Sequence, residues 1–327
     1  MRLNPNNIAG NKLGILISYL AFAVCISWLT SSCIAPLPQL EPGPRLVQFG
    51  HDNYIRNVNF HIPKNLRRKN RSLILCLHDG GSDASGMMRI TRRGFNKLSE
   101  RNNFIVGYPE ALDQYWNDGR EDSISISHFR DIDDVGLIEK TIAFAIDSFR
   151  VEPERVFVAG FSEGGLMTAR LACEIPEQIK GFAIVAASLS LDQLVECSPD
   201  TTASMIMING TKDPILPYDG GQMQIDEKTV GSMLAAEEAI SFWLEQNECS
   251  DQSSLKDIAN RDTFDETRSQ QTTYSDCKYK NKLVLIKVVN GGHTWPGGRQ
   301  FDGEKSIGKV SKDFEATQVI WRFFKSL

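Results

Sequence analysis

A serine between glycines, a histidine late in the chain and an aspartate between the two could together do acyl chemistry. Gly160-Phe161-Ser162-Glu163-Gly164-Gly165 follows the apolar run 155–159 and opens a helical pattern. G-x-S-x-G in that context predicts a tight, strained turn that lifts the serine hydroxyl clear of the backbone at a sheet end. The helix beginning beneath it adds free N–H groups and a positive dipole end. A serine alkoxide does not form unaided at neutral pH, so the hydroxyl needs a base. Of the five histidines, His51, His61, His78, His128 and His293, only His293 follows Ser162. It sits in Gly291-Gly292-His293-Thr294-Trp295-Pro296-Gly297-Gly298, just past the apolar run 283–289. The expected chain order for such a serine turn is nucleophile, acid, base. Asp213 is the expected acid, in the loop after the apolar run 205–208; Asp219 and Asp226 compete from further along. Its task is to hold the histidine tautomer and stabilise the imidazolium. A tetrahedral intermediate needs preorganised donors for its oxyanion. Those expected are the backbone N–H of Glu163 and that of Gly80, in His78-Asp79-Gly80-Gly81.

Positioning these groups calls for strands that end where the loops begin. The chain alternates strand and helix signals. Residues 54–62 alternate apolar and polar, as an outer strand does. Short continuous apolar runs at 72–77, 104–108, 155–159, 182–186, 205–208 and 283–289 read as buried parallel strands. Helical spacing marks 135–149, 164–173, 235–244 and 314–324. The expectation is an α/β fold, a mostly parallel sheet with helices on both faces. One stretch, 250–271, is polar and almost free of large apolar residues, and reads as a long loop.

The N-terminal residues read differently. Arg2 and Lys12 precede LGILISYLAFAVCISWL, an uncharged run at 13–29 followed by Thr30-Ser31-Ser32-Cys33. This is the layout of an export leader. Cys33 is a lipidation candidate, with an uncleaved membrane anchor as the other reading. Residues 1–33 are taken as leader, 34–50 as a Pro-rich linker (APLPQLEPGP at 35–44), and 51–327 as the catalytic domain. The protein is expected to be exported: secreted, periplasmic or lipid-anchored at the cell envelope. Of seven cysteines, Cys25 lies in the leader and Cys76 in an apolar strand. Setting Cys33 aside as well leaves Cys173, Cys197, Cys249 and Cys277, an even number, which suggests disulfides in an oxidising compartment. Three pairings are possible, and the sequence-local one, 173–197 with 249–277, is expected. No Cys-x-x-Cys occurs and only five histidines are present, so no zinc site is expected, and the chemistry above implies neither a metal nor an organic cofactor. The net charge of −5 and pI near 5.7 argue against nucleic acid as a partner. Membrane contact is expected only through the N-terminal anchor, and the folded part is expected to be monomeric.

The blocks LILCLHDGG, YPEALDQYWN, DIDDVGLI, PERVFVAGFSEGG, MINGTKDPILPYDGG and GGHTWPGG run from about residue 72 to 298. In order and content they resemble the secreted esterase family of the α/β-hydrolase fold that includes polyhydroxybutyrate depolymerases and feruloyl or acetylxylan esterases. The resemblance implies Ser162, Asp213 and His293 as the triad, agreeing with the choice from the residues. It implies a polyester oligomer or a plant cell-wall ester as substrate. It also implies that Trp116 and Trp295 line the substrate groove, the competing reading being core packing. Glu163 departs from the small or neutral residue common in the family at that position; its carboxylate either points to solvent or alters selectivity. No separate polymer-binding segment is visible, so faster turnover of soluble esters than of solid polymer is expected. The reading from another class is a binding protein on a hydrolase scaffold, favoured if the three triad residues lie beyond hydrogen-bond reach.

Overall fold

The computed structural model of the protein describes residues 40–121, 125–197, 202–225, 228–250 and 252–327. The leader, Cys33, the first part of the linker and Asp226 lie outside these residues. In chain order the strands and helices begin with β1 (Gly43–His51), β2 (Tyr54–Ile62), β3 (Ser72–Leu77), α1 (Ala84–Ile90), α2 (Gly94–Ser99) and β4 (Phe104–Pro109). Next come α3 (Ile126–Phe129), α4 (Asp134–Phe149), β5 (Val156–Phe161), α5 (Glu163–Glu174), β6 (Gly181–Val185), α6 (Leu191–Glu196) and β7 (Met205–Gly210). The remainder are β8 (Gly221–Ile225), β9 (Lys228–Met233), α7 (Ala236–Gln246), β10 (Ser253–Ile258), β11 (Arg268–Tyr274), β12 (Leu283–Val289), α8 (Glu304–Ile307) and α9 (Ala316–Lys325).

Ten of these strands form one sheet, in the order β1-β2-β4-β3-β5-β6-β7-β12-β11-β10. From β4 to β12 every neighbouring pair is parallel. Side chains along a strand alternate between its faces, and the core divides accordingly. Leu73, Leu75 and Leu77 of β3 enter one apolar cluster with α4, α5 and α7; Ile74 and Cys76 enter another with α1, α2 and α9. Coverage on both faces is why β3, β4, β5, β6 and β7 are buried at every position and read as unbroken apolar runs. Among the described residues no helix is long and apolar enough to cross a membrane.

The structure corrects two readings. The linker expected through Gly50 ends earlier, because Leu40–Leu327 forms one compact unit and Gly43–His51 is strand β1. β1 pairs along its whole length with β2 through a two-residue turn at Asp52 and Asn53, both with positive φ. Pro44 disguised this strand, but proline is tolerated at a sheet edge, where no neighbour needs its missing N–H. The expected loop 250–271 instead contains β10 and the start of β11, a hairpin that continues the sheet beyond β12. β10 is exposed almost throughout, so it has no apolar face to announce it. The disulfides are 173–197, tying the last turn of α5 to the end of α6, and 249–277, across the base of the β10–β11 hairpin. Each closes a loop of 24 or 28 residues, worth about 3 kcal/mol in the chain-entropy account. Cys76 is a free, buried thiol.

Candidate active site

Ser162 stands between β5 and α5 with φ 55° and ψ −122°, a sparsely populated backbone conformation. The flanking glycines make that turn possible. A Cβ on Gly164 would lie 2.4 Å from the Leu77 carbonyl oxygen, and one on Gly160 would lie 1.9 Å from the Gly164 carbonyl oxygen. The turn is thereby pressed against the end of β3, the strand that leads into the Gly80 loop.

His293 follows β12, with its backbone N–H donating to the Ile307 carbonyl on α8. With the proton on Nδ1, the imidazole donates to Asp213 Oδ2 at 2.8 Å, and its Nε2 accepts from Ser162 Oγ at 2.8 Å. Asp213, in the loop after β7, accepts the Ile215 and Leu216 N–H groups on Oδ1 at 2.9 and 2.8 Å. Its second oxygen is thus left aimed at the histidine. Both Asp213 and His293 are buried. The three residues singled out from sequence therefore form one hydrogen-bonded chain, spanning loops after β5, β7 and β12.

Beside Ser162, the Glu163 N–H opens α5, and Gly80 lies close by: a Cβ there would sit 3.0 Å from Glu163 Oε2 and 3.3 Å from the Tyr115 ring. The loop is held from beneath by His78. Burial pushes the His78 imidazole down to about 4, so it is neutral. Its Nδ1 donates to the Asp79 carbonyl and its Nε2 accepts the Ala111 N–H. Among the described residues no group of three His, Cys, Asp or Glu side chains could hold a metal ion.

A family model for phospholipases and carboxylesterases matches residues 64–229, just over half of the 327 residues. The chain belongs to this phospholipase/carboxylesterase family. The NocK protein of Nocardia uniformis subsp. tsuyamanensis is 28% identical over 70% of this chain and 66% of its own length. Feruloyl esterase B of Piromyces equi is 25% identical over 60% of this chain and 34% of its own. The chain thus spans from about a third to just under two thirds of the length of these relatives. A solved acetyl xylan esterase from Aspergillus awamori aligns with a TM-score of 0.51 at 17% identity, covering 76% of this chain and 94% of that one. That likeness is one of fold, the α/β-hydrolase fold.

In this phospholipase/carboxylesterase-family chain Trp116 and Trp295 are core residues, which corrects the groove assignment. Trp116 is 0% exposed and its Nε1 donates to the His78 carbonyl; Trp295 is 1% exposed and donates to Thr317 Oγ1. Neither offers a ring face to a substrate. Two aromatics that sequence reasoning missed lie near the triad loops. Tyr115, only partly buried, packs across Gly80 and Gly81. Phe301, 37% exposed, stands edge-on to Phe161, whose ring lies 5.2 Å from that of His293. Tyr115 adjoins Trp116 in sequence, and the larger ring drew the assignment; Phe301 sits in a polar turn with no periodic signal.

Glu163 does not point to solvent. It is 7% exposed and meets Arg120 Nη2 at 3.0 Å. Arg120 and Asp118 form a buried ion pair beside it, with His128 hydrogen-bonded to Asp118, an arrangement that no sequence spacing announces, since Arg120 and Glu163 are 43 residues apart.

Proposed function

We propose that the protein is a serine carboxylic ester hydrolase that works through an acyl-enzyme. The observation carrying this reading is the 2.8 Å and 2.8 Å chain from Ser162 through His293 to Asp213. His293 Nε2 takes the Ser162 proton as Oγ bonds to the ester carbonyl carbon. The oxyanion forms against the Glu163 and Gly80 N–H groups. The C–O bond to the alcohol breaks, and the imidazolium returns its proton to the leaving oxygen. Water, deprotonated by His293, then attacks the acyl-serine, and the acid departs as Ser162 recovers its proton. Triad groups out of hydrogen-bond reach would have favoured the binding-protein reading, and these distances give it no support.

For the substrate, relatives named poly(3-hydroxybutyrate) depolymerase and feruloyl esterase B support a polyester oligomer and a plant cell-wall ester alike, and the partly exposed Tyr115 and Phe301 would give either one an apolar wall. Rates on methyl ferulate, acetylated xylan, hydroxybutyrate oligomers and p-nitrophenyl acetate separate these readings. Phe301→Ala is expected to raise KM for methyl ferulate about tenfold, from lost apolar contact, and to leave p-nitrophenyl acetate within about twofold. Equal effects on both esters would remove Phe301 from the substrate wall.

Export through the leader, with lipidation of Cys33, is part of the same reading. The full chain is expected to fractionate with membranes and to be released by Cys33→Ala. A mature N-terminus at another residue, without acyl modification, would rule lipidation out.

A further inference from the structure

Two carboxylates share one guanidinium next to the nucleophile. Arg120 contacts Asp118 through Nε and Nη2, at 2.8 and 2.7 Å, and reaches Glu163 Oε1 with Nη2 at 3.0 Å. Its Nη1 donates to the Val230 carbonyl on β9 at 3.1 Å. Asp118 also takes His128 Nε2 at 2.9 Å. Glu163 Oε2 accepts the Trp116 N–H at 3.2 Å and lies against Gly80. All four side chains are nearly closed to solvent. Like charges crowded into a dry site do not both ionise cheaply. Asp118 holds the better position. Burial alone would push its carboxyl up, but Arg120 and His128 outweigh that and hold it at about 2. Burial, then repulsion from Asp118, push Glu163 up to about 8. Burial and Asp118 thus both work against a negative charge on Glu163, while Arg120 works for it.

That matters because of where the carboxyl sits. It touches Gly80, and its own backbone N–H is the other expected oxyanion donor. A full negative charge there opposes the charge that develops on the substrate oxygen. We infer that Glu163 is a positioning residue of the oxyanion site: its side chain, held by Arg120 and the Trp116 N–H, anchors the head of α5 against the Gly80 loop, and a negative charge on it suppresses turnover. The inference rests on the ester-hydrolase reading above.

The charged groups acting on Glu163 are Arg120, Asp118 and Asp134 at the head of α4; behind them His128 on α3 holds Asp118 and Arg56 on β2 holds Asp134, and His78, Asp79 and Tyr115 belong to the Gly80 loop or pack on it. Of these, Asp118 at about 2 and His78 at about 4 titrate far below the range concerned, and Arg120 is pushed further up from an already high value. The test is kcat and KM for p-nitrophenyl acetate from pH 6 to 10 in wild type, Glu163→Gln and Ser162→Ala, with unfolding midpoints for each. Wild-type kcat is expected to fall about tenfold as pH rises through about 8, with KM nearly constant, because the opposing charge acts on the transition state alone. Glu163→Gln, which keeps the Trp116 acceptor but cannot ionise, is expected to be folded, a few-fold slower at pH 7 and flat above it. A Ser162-dependent wild type that shows no fall, or a Glu163→Gln enzyme with the same fall, overturns the inference alone. Absence of Ser162-dependent hydrolysis overturns the ester-hydrolase reading and the inference with it.

Discussion

Ser162→Ala is expected to lower ester hydrolysis by about 10³-fold or more while leaving the unfolding midpoint within a few degrees of wild type. The two halves of this expectation have separate causes. The hydroxyl is the atom that bonds to the acyl carbon, and His293 Nε2, at 2.8 Å, has nothing to deprotonate without it. Water held by the same imidazole replaces it poorly, because the acyl-enzyme route is lost and only the oxyanion donors and substrate binding remain. The fold, by contrast, rests on the turn and not on the hydroxyl. Ser162 has φ 55°, and alanine bears the same cost there as serine. The check is steady-state hydrolysis of p-nitrophenyl acetate beside thermal unfolding of the same preparations. A variant keeping a tenth of the wild-type rate would remove Ser162 from the role of nucleophile.

The largest loss of stability is expected from Asp134→Ala, about 3–5 kcal/mol. Asp134, at the head of α4, pairs with Arg56 on β2, and both side chains are essentially sealed from solvent. Its other oxygen accepts the Asn117 N–H at 2.7 Å. Alanine there strands a guanidinium in the interior and orphans a backbone donor in the segment that carries Trp116, Asp118 and Arg120. The pair itself contributes far less than its breakage costs, because burying both charges is expensive. Replacing both ends together, as Arg56→Met with Asp134→Leu, should therefore recover much of the loss. Urea unfolding of the single and double variants measures this; a single variant within about 1 kcal/mol of wild type would show that solvent reaches the site.

What the sequence made legible follows from what burial does to a sequence. Strands covered on both faces are apolar along most of their length, so β3, β4, β5, β6 and β7 are visible as runs. The nucleophile turn is visible because only glycine fits where Gly160 and Gly164 touch neighbouring backbone. His293 was findable because no other histidine follows the serine. The misses have the opposite cause. β1 and β10 lie at the two edges of the sheet, where neither face needs to be apolar throughout. Trp116 and Trp295 were misplaced because a large ring near a catalytic loop looks the same whether it faces substrate or supports the loop from behind; only their indole hydrogen bonds and burial decide it. Arg120, Asp118 and Glu163 were not connected because their pairing depends on how the segment after β4 folds over α5, which no local pattern encodes.

The β1–β2 hairpin has a mechanical consequence. Gly43 is paired with Ile62 at the open end of the hairpin, while the turn at Asp52 and Asn53 closes the other end. A pull arriving from the N-terminal side loads the Gly43–Ile62 pair first and parts the remaining pairs one after another, as a zipper opens, instead of shearing all nine at once. β1 carries none of the residues that hold Ser162, Asp213 or His293. Tension transmitted through residue 40 would be dissipated by peeling this outer ribbon before any of it reached the strands that aim the reacting groups.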